Sequence, residues 1–401
     1  HFLETLGVIH QNLDVQHWSS LKVILPVLQR LYVISLESSK SQWILTSYED
    51  VSTLLRDKRL GRVLENVKLN PNPAHAPFEA VQQGSLLELE PPDHTRIRIA
   101  VQDTFTPKHV RALEGKIAAL CDRLADTLAK RPGREADLLK DFAEPIPVTV
   151  IAELLGVPEP DRHRLVPWSK AIIGMFEPER TPEMERVAVS AAQAFADYVR
   201  GLIEKKRIDP QDDLISRMVR LRDEEPGRLS EAEIVANAIL FLNAGHEAVV
   251  NVIGNGMVAL LGRPKLWRRL REHPELVETA LEEAMRFDTP LQFFERVVRQ
   301  EVSYRGYTWP RGTRVCLFYA SANRDEAIFK DPETFDLERH PNPHLAFGLG
   351  LHYCIGAPLA RLEFKHALLA LTRFSSLALQ DAPSYHPKNV FRYPTSLRVT
   401  F

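Results

Sequence analysis

The stretch from Ser230 to Gly262 constrains this chain more than any other. Ser230 followed by Glu233 predicts a capping box, Gly262 a C-terminal stop, and Pro264 forbids continuation. At about 1.5 Å per residue such a helix is roughly 50 Å long, enough to cross a whole domain. Ile234, Val235, Ile239, Leu240, Val249, Val250, Val252 and Ile253 spread over nearly all its faces, so it is expected to be buried, with the rest of the chain packed around it. Ala244-Gly245 stands near its middle. Glycine there costs about 1 kcal/mol relative to alanine, so something else must favour it.

Helical periodicity dominates from Pro107 to Arg286, with Leu113, Ile117, Leu120, Leu124 and Leu128 on one apolar face. A further helix is expected from about Pro274 to Phe287. Strands are expected at Val297-Val298, Val302 to Tyr304 and Arg314 to Phe318, with turns at Gly306 and Gly312. The class is mainly α with a small β region. The breaks at Asn70-Pro71-Asn72-Pro73, Pro91-Pro92 and Asp209-Pro210 are too short for linkers, so residues 1–401 are expected to form a single domain. With 51 basic and 53 acidic residues the net charge is −2, which offers no global attraction to nucleic acid or an anionic membrane. Uninterrupted apolar runs, such as Ala238 to Leu242, fall far short of the roughly 20 residues of a membrane span. The start, His1-Phe2-Leu3-Glu4, shows no signal-peptide pattern. Three cysteines, Cys121, Cys316 and Cys354, are too few and too scattered for a disulfide framework or a zinc pair. A soluble protein of the reducing cytoplasm is expected.

The densest chemical signal runs from Phe347 to Arg361, where Gly348, Gly350 and Gly356 surround Cys354. Such glycines let the backbone turn back beneath a flat ligand with amides aimed at the sulfur. A helix from about Leu359 to Leu371 follows. Amides and helix dipole together are expected to lower the pKa of Cys354. Three other readings compete. A dinucleotide loop needs a third glycine where Tyr353 stands. A zinc site on His352 and Cys354 lacks partner ligands nearby. An inert buried cysteine leaves the glycines unexplained.

From about Glu90 onward the chain resembles a cytochrome P-450 of the soluble bacterial type. Phe347 to Arg361 fits the family's cysteine loop at every fixed position. Glu283-Ala284-Met285-Arg286 fits its E-x-x-R pair, and Arg339 the third member of that charged triad. Asn323-Arg324-Asp325 and the segment Glu90 to Arg98 follow it too. The resemblance implies the P-450 fold, one heme b (iron protoporphyrin IX), and Cys354 as the metal ligand. A thiolate on haem iron favours O–O cleavage. Phe347 and Gly348 then belong to the cofactor loop, while His94, Arg98, Arg296 and His352 contact the propionates. Glu283, Arg286 and Arg339 are structural.

The implied reaction is insertion of one atom of O2 into a small organic substrate. Electrons come from NAD(P)H through a ferredoxin or flavodoxin with its reductase, and Arg96 and Lys365 are candidate docking residues. The oxygen site departs from the family pattern. Ala244-Gly245-His246-Glu247-Ala248 keeps the acid at Glu247 but replaces the usual alcohol by Ala248. Gly245 is expected to allow a locally widened helix there, and His246 to be an ordinary packed histidine. By the same resemblance the substrate pocket draws on the segment between Arg62 and Leu89, the region from Ile172 to Phe176, Leu240 to Ala244, Leu291 to Phe294 and the loop near Val390-Phe391-Arg392, with Leu86, Leu87, Leu240, Ala244, Phe293 and Val390 as lining residues. A peroxide-driven oxygenase and a non-catalytic haem- or ligand-binding protein are the rival readings.

Overall fold

A computed structural model of the protein describes residues 32–34, 42–65, 72–176, 180–386 and 390–401. The expectations about His1 to Glu4 and about Asn70-Pro71 lie outside those residues. In chain order the helices are α1 (Tyr48–Leu54), α2 (Ala76–Gln83), α3 (Asp93–Val101), α4 (Pro107–Ala112), α5 (Glu114–Ala129), α6 (Pro145–Leu155) and α7 (Leu165–Ile173). They continue with α8 (Pro182–Ile208), α9 (Leu214–Glu224), α10 (Glu231–Leu261), α11 (Pro264–Glu272), α12 (Val277–Phe287), α13 (Tyr319–Ala322) and α14 (Ala357–Leu371). The strands are β1 (Tyr32–Ile34), β2 (Gln42–Leu45), β3 (Leu60–Gly61), β4 (Glu135–Asp137), β5 (Phe293–Val298), β6 (Val302–Tyr304), β7 (Tyr307–Trp309), β8 (Arg314–Phe318), β9 (Ala378–Leu379) and β10 (Arg398–Thr400).

Helix α10 is the axis of the molecule. At its start the Ser230 hydroxyl accepts from the Glu233 amide at 3.2 Å, and the Glu233 carboxylate accepts from the Ser230 amide at 2.8 Å. Gly262 ends it in a right-handed conformation (φ −67°). The stop therefore comes from Pro264, which disfavours helical geometry at Arg263 before it. By length and composition α10 could cross a membrane, but most of it is enclosed by the other helices, as its apolar faces require.

The expected widening at Ala244-Gly245 is not present, and α-helical geometry runs through it unbroken. What Gly245 allows is close approach of α6: a β-carbon there would stand 3.4 Å from the Ile151 side chain. Two glycines further along are more tightly enclosed. A β-carbon at Gly254 would meet Leu139 at 2.7 Å, and one at Gly256 would meet the Phe364 ring of α14 at 2.5 Å. Helix α10 is thus notched where its neighbours cross.

The apolar stripe of α5 is centred on Ile117, Cys121, Ala125 and Leu128. Leu113, Leu120 and Leu124 flank it, half-buried, and α14 packs against α5. The strands form a five-stranded sheet in the order β1-β2-β8-β5-β3, in which only β2 and β8 run parallel. A three-stranded sheet (β4-β10-β9) and the hairpin β6-β7 complete the β part. The larger sheet carries its own core, built on Leu45, Val51, Trp309, Val315, Leu317 and Tyr319. Strand β5 brings Phe293 and Arg296 toward the helical body.

Candidate active site

The cysteine loop is shaped by Gly348 (φ +65°) and Gly350 (φ +73°), conformations that cost an L side chain roughly 1–2 kcal/mol. The Cys354 amide donates to the Phe347 carbonyl at 3.0 Å, closing the turn just before α14 begins. Among the three cysteines, Cys121 and Cys316 are buried and Cys354 is exposed. Its sulfur is crowded on most sides yet reaches a recess of about 270 Å³ beside Arg98, Phe105, Ile355 and Pro358.

The expectation of a lowered pKa at Cys354 is overturned. Loss of hydration raises it, and the Gly356 and Ala357 amides with the Arg98 and Arg361 guanidiniums only partly offset that. The amides are where the sequence predicts them, but desolvation outweighs them.

Above the cysteine loop a cluster of cationic and imidazole groups converges. His94 is fully buried, and neither ring nitrogen has a hydrogen-bonding partner. Burial, reinforced by His352 and Arg98, pushes its pKa down to about 4. The His352 ring stands edge-on to it, centroids 4.6 Å apart, and its Nε2 lies 3.0 Å from Glu90. Burial also pushes His352 down, against the pull of Glu90. At Glu90 burial acts upward, but His352, the Arg62 amide and Arg299 outweigh it. Taken together these favour a neutral His352 donating to a Glu90 carboxylate, because the nearby Arg296 and Arg62 oppose a third cation.

Arg296 is 4 % exposed and donates to the Glu295 carbonyl at 3.1 Å. Arg98 instead donates to the Tyr353 carbonyl at 2.9 Å, on the cysteine loop. Arg62, expected only as the start of a pocket-lining segment, joins this cluster. It donates to the Glu295 carbonyl and Glu88, both at 2.9 Å, and stacks 3.8 Å over Phe294. No signal in the sequence joins residues 62 and 295, because sheet pairing of β3 with β5 brings them together.

On α10 a stripe opens in an otherwise covered helix. Ala244 is exposed, and Leu240, Gly245, Glu247 and Ala248 are half-buried. His246, on the side facing α6 and α7, is buried with both ring nitrogens unpartnered, and burial pushes its pKa to about 4. It is packed, and it points away from the open stripe.

Of the expected pocket residues, Leu87, Leu240, Phe293 and Val390 are half-buried. Phe293 stacks on Phe318 at 5.0 Å, and the Val390 carbonyl accepts from the Gln292 amide at 2.9 Å. Leu86 and Ile172 lie in the core, 5 % and 0 % exposed.

The charged triad is assembled as expected. Arg286 grips Glu283 at 2.7 and 2.8 Å, and Arg339 reaches both carboxylate oxygens at 3.1 and 3.0 Å. A second network, unread in the sequence, ties α12 to the cysteine loop. Glu282 accepts from Arg361 at 2.5 and 3.0 Å and faces His344 at 2.9 Å, while Arg361 covers the Phe347 ring at 4.4 Å. Burial alone would raise the Glu282 pKa, but His344 and Arg361 hold it down to about 2. Its stabilisation is thus complete above the ordinary glutamate value of about 4.3 and is lost as pH falls toward 2. Acid unfolding of Glu282→Gln, followed by circular dichroism between pH 5 and 2, is expected to be shallower than that of the parent. Equal slopes would show that Glu282 contributes nothing there.

An accessible cysteine framed by a helix start, a buried cluster of cations and an uncovered stripe on a long helix are the parts of a haem-thiolate protein. The cytochrome P450 family model matches residues 29–398, and the chain belongs to that family. The polyketide biosynthesis cytochrome P450 PksS of Bacillus subtilis (strain 168) is 36% identical over 357 residues, 87% of this chain and 86% of that protein. The cytochrome P450 monooxygenase PikC of Streptomyces venezuelae is 37% identical over 87% of this chain and 83% of its own length. A crystal structure of P450BioI with hexadec-9Z-enoic acid ligated acyl carrier protein superimposes with TM-score 0.88 at 34% identity, covering 95% of this chain and 97% of that one. Myxobacterial CYP267B1 with myristic acid gives 0.86 at 34% identity, over 97% and 98%.

The protein is a haem-thiolate monooxygenase that uses O2 and externally supplied electrons. Its residues fit the cofactor. Two orphaned nitrogens on a buried histidine and a nearly buried arginine call for an anion, and haem carries two carboxylates. The exposed Ala244 marks where α10 lacks protein cover.

Proposed function

We propose that Cys354 supplies the thiolate, that His94, Arg296 and His352, joined by Arg62, receive the propionates, and that residues 1–401 make one haem domain working in the cytoplasm. Arg98 bonds the cysteine loop in this structure, and turning toward a propionate would cost it the Tyr353 contact. The substrate we propose is an elongated, mostly apolar molecule that carries a hydroxyl, such as a hydroxylated acyl chain. The observation that carries this is the uncovered α10 stripe, where Leu240, Ala244 and Ala248 offer apolar surface at helical spacing. Two structural relatives hold hexadecenoyl and myristic chains. Bound haem supplies the oxygen-activating chemistry. The polypeptide's part is to exclude water, orient the substrate and hold a proton at Glu247.

Cys354→Ser is expected to abolish the thiolate-type absorbance band of the reduced, carbon monoxide-treated protein. A spectrum unaltered by this change would remove the basis of the assignment. With the wild-type protein, fatty acids of graded length should convert the low-spin spectrum to high-spin with a clear optimum of length.

Ala248 leaves Glu247 without the alcohol that usually follows it. A substrate hydroxyl, or water anchored by it, fills that place in our reading. Ala248→Thr is then expected to raise product formed per NAD(P)H consumed and to lower peroxide leak, most for substrates without a hydroxyl. Unchanged coupling and unchanged peroxide leak would show that the alcohol was never missed. The same alanine favours a peroxide-driven oxygenase as second reading, which sustained turnover on hydrogen peroxide without reductase would establish.

Family members of bacterial type take electrons from a ferredoxin with its reductase. Arg96 and Lys365, the candidate docking residues, are both engaged within the chain. Arg96 pairs with Glu233 at 2.5 Å and Asp93 at 3.0 Å, and Lys365 with Glu278 at 2.9 Å. Both serve helix packing first.

A further inference from the structure

We infer that Asp288, Arg392 and Asn255 form a three-way knot that sets the width of the substrate chamber, acting as specificity-determining positioning residues. Asp288 ends α12, and its carboxylate accepts from Arg392 Nε at 3.1 Å. The Arg392 guanidinium lies 3.8 Å over the Tyr385 ring. From α10, the Asn255 amide donates to two main-chain carbonyls at once, that of Asp288 at 3.1 Å and that of Arg392 at 2.9 Å. The backbones then lock directly. Arg392 N–H donates to the Pro290 carbonyl at 2.8 Å, Gln292 N–H to the Val390 carbonyl at 2.9 Å, and Leu291 pairs with Phe391.

Three segments distant in sequence meet here, and each carries a residue that the proposed chamber would draw on. The turn after α12 leads into Phe293, the C-terminal segment carries Val390, and α10 carries the open stripe. The ion pair is 16 % and 14 % exposed on its two sides, so it is poorly screened by salt. Asn255 is 1 % exposed. Such a buried side-chain amide holds both carbonyls in one geometry, since leaving either unpaired costs the desolvation of that group. In this proposal the spacing of Phe293 and Val390 follows from the knot, because it fixes the two backbones that carry them. The assignment rests on the chamber proposed above.

The test uses the haem-loaded full chain with Arg392→Met, Asp288→Asn and the conservative Arg392→Lys. Arg200→Met, at an exposed ion pair on α8, serves as a control for lost charge. Two readouts are taken: hydrogen exchange of the Gln292 amide, and spin-state titrations with saturated fatty acids of 8 to about 18 carbons, a span wider than one chamber's length optimum. Arg392→Met and Asp288→Asn are expected to speed Gln292 exchange at least about tenfold and flatten the preference among chain lengths, Arg392→Lys to restore part of it, and Arg200→Met to do neither. Should Arg392→Met fail to load haem, Asp288→Asn carries the same measurement. Unchanged Gln292 protection overturns the inference. So does lost protection with an unchanged length preference. If the unsubstituted protein responds to no fatty acid, the chamber reading falls and takes this one with it, a failure recognisable because it precedes any substitution.

Discussion

Glu283→Gln is expected to leave almost no folded, haem-containing protein. The Glu283 side chain is fully buried and takes both Arg286 and Arg339, together with the Asp336 amide at 2.9 Å and Asn342 at 3.3 Å. Removing its charge strands Arg286, whose guanidinium water cannot reach, and Arg339, whose side chain is 8 % exposed. Arg286 would keep its bonds to the carbonyls of Asn323, Pro332 and Thr334, but neutral carbonyls do not neutralise a buried cation. Breaking a buried pair from one side costs about 3–5 kcal/mol, against a total stability of about 5–15 kcal/mol. Here two cations lose the same partner. The neighbouring Glu278, an exposed residue paired with Lys365, provides the comparison, since exposed pairs contribute about 0–1 kcal/mol. Denaturant midpoints of the two variants should therefore diverge widely. A Glu283→Gln protein that unfolds within error of Glu278→Gln would mean that the triad is dispensable.

The second large effect is expected at Gly350, with most of the fold left intact. An alanine there must adopt φ near +73°, and its β-carbon would fall under 3.0 Å from the Leu55 carbonyl at the end of α1. Backbone faces backbone, so no side chain can swing aside. The loop must lift, and Cys354 four residues on must move with it. Gly348→Ala shares the left-handed strain, but its nearest neighbour is the Tyr319 hydroxyl at 3.5 Å, leaving only the conformational cost of roughly 1–2 kcal/mol. Gly356→Ala meets nothing within 4 Å and has φ −82°. Haem content and the thiolate-type carbon monoxide band should thus be lost in Gly350→Ala, reduced in Gly348→Ala and retained in Gly356→Ala. Equal behaviour of the three would show that the loop is held by something other than its fit against α1.

What could be read along the chain has a common character. The cap of α10 was legible because Ser230 and Glu233 bond each other three residues apart, and the E-x-x-R pair because Glu283 and Arg286 share one helix face. The mainly α class with its small β part, and the cysteine loop, were legible for the same reason, since periodicity and glycine placement act within a few residues. The place of Arg62 in the cluster was invisible because that residue reaches Glu295 across 233 residues. Gly245 was misread because the helix that crowds it, carrying Ile151, lies almost a hundred residues earlier. The two carbonyls joined by Asn255 belong to the same category.

The amino-acid order by itself determined the long central helix and the family to which the chain belongs, and it singled out Cys354 as the sulfur we propose for iron. Only the tertiary structure decided how that sulfur is tuned. The amides flanking Cys354 are local and were foreseeable, but the hydration its sulfur loses depends on residues far along the chain, such as Arg98 and Phe105, and that loss outweighs the local dipoles. Short-range bonding is written in neighbouring residues, whereas dielectric environment belongs to the assembled molecule.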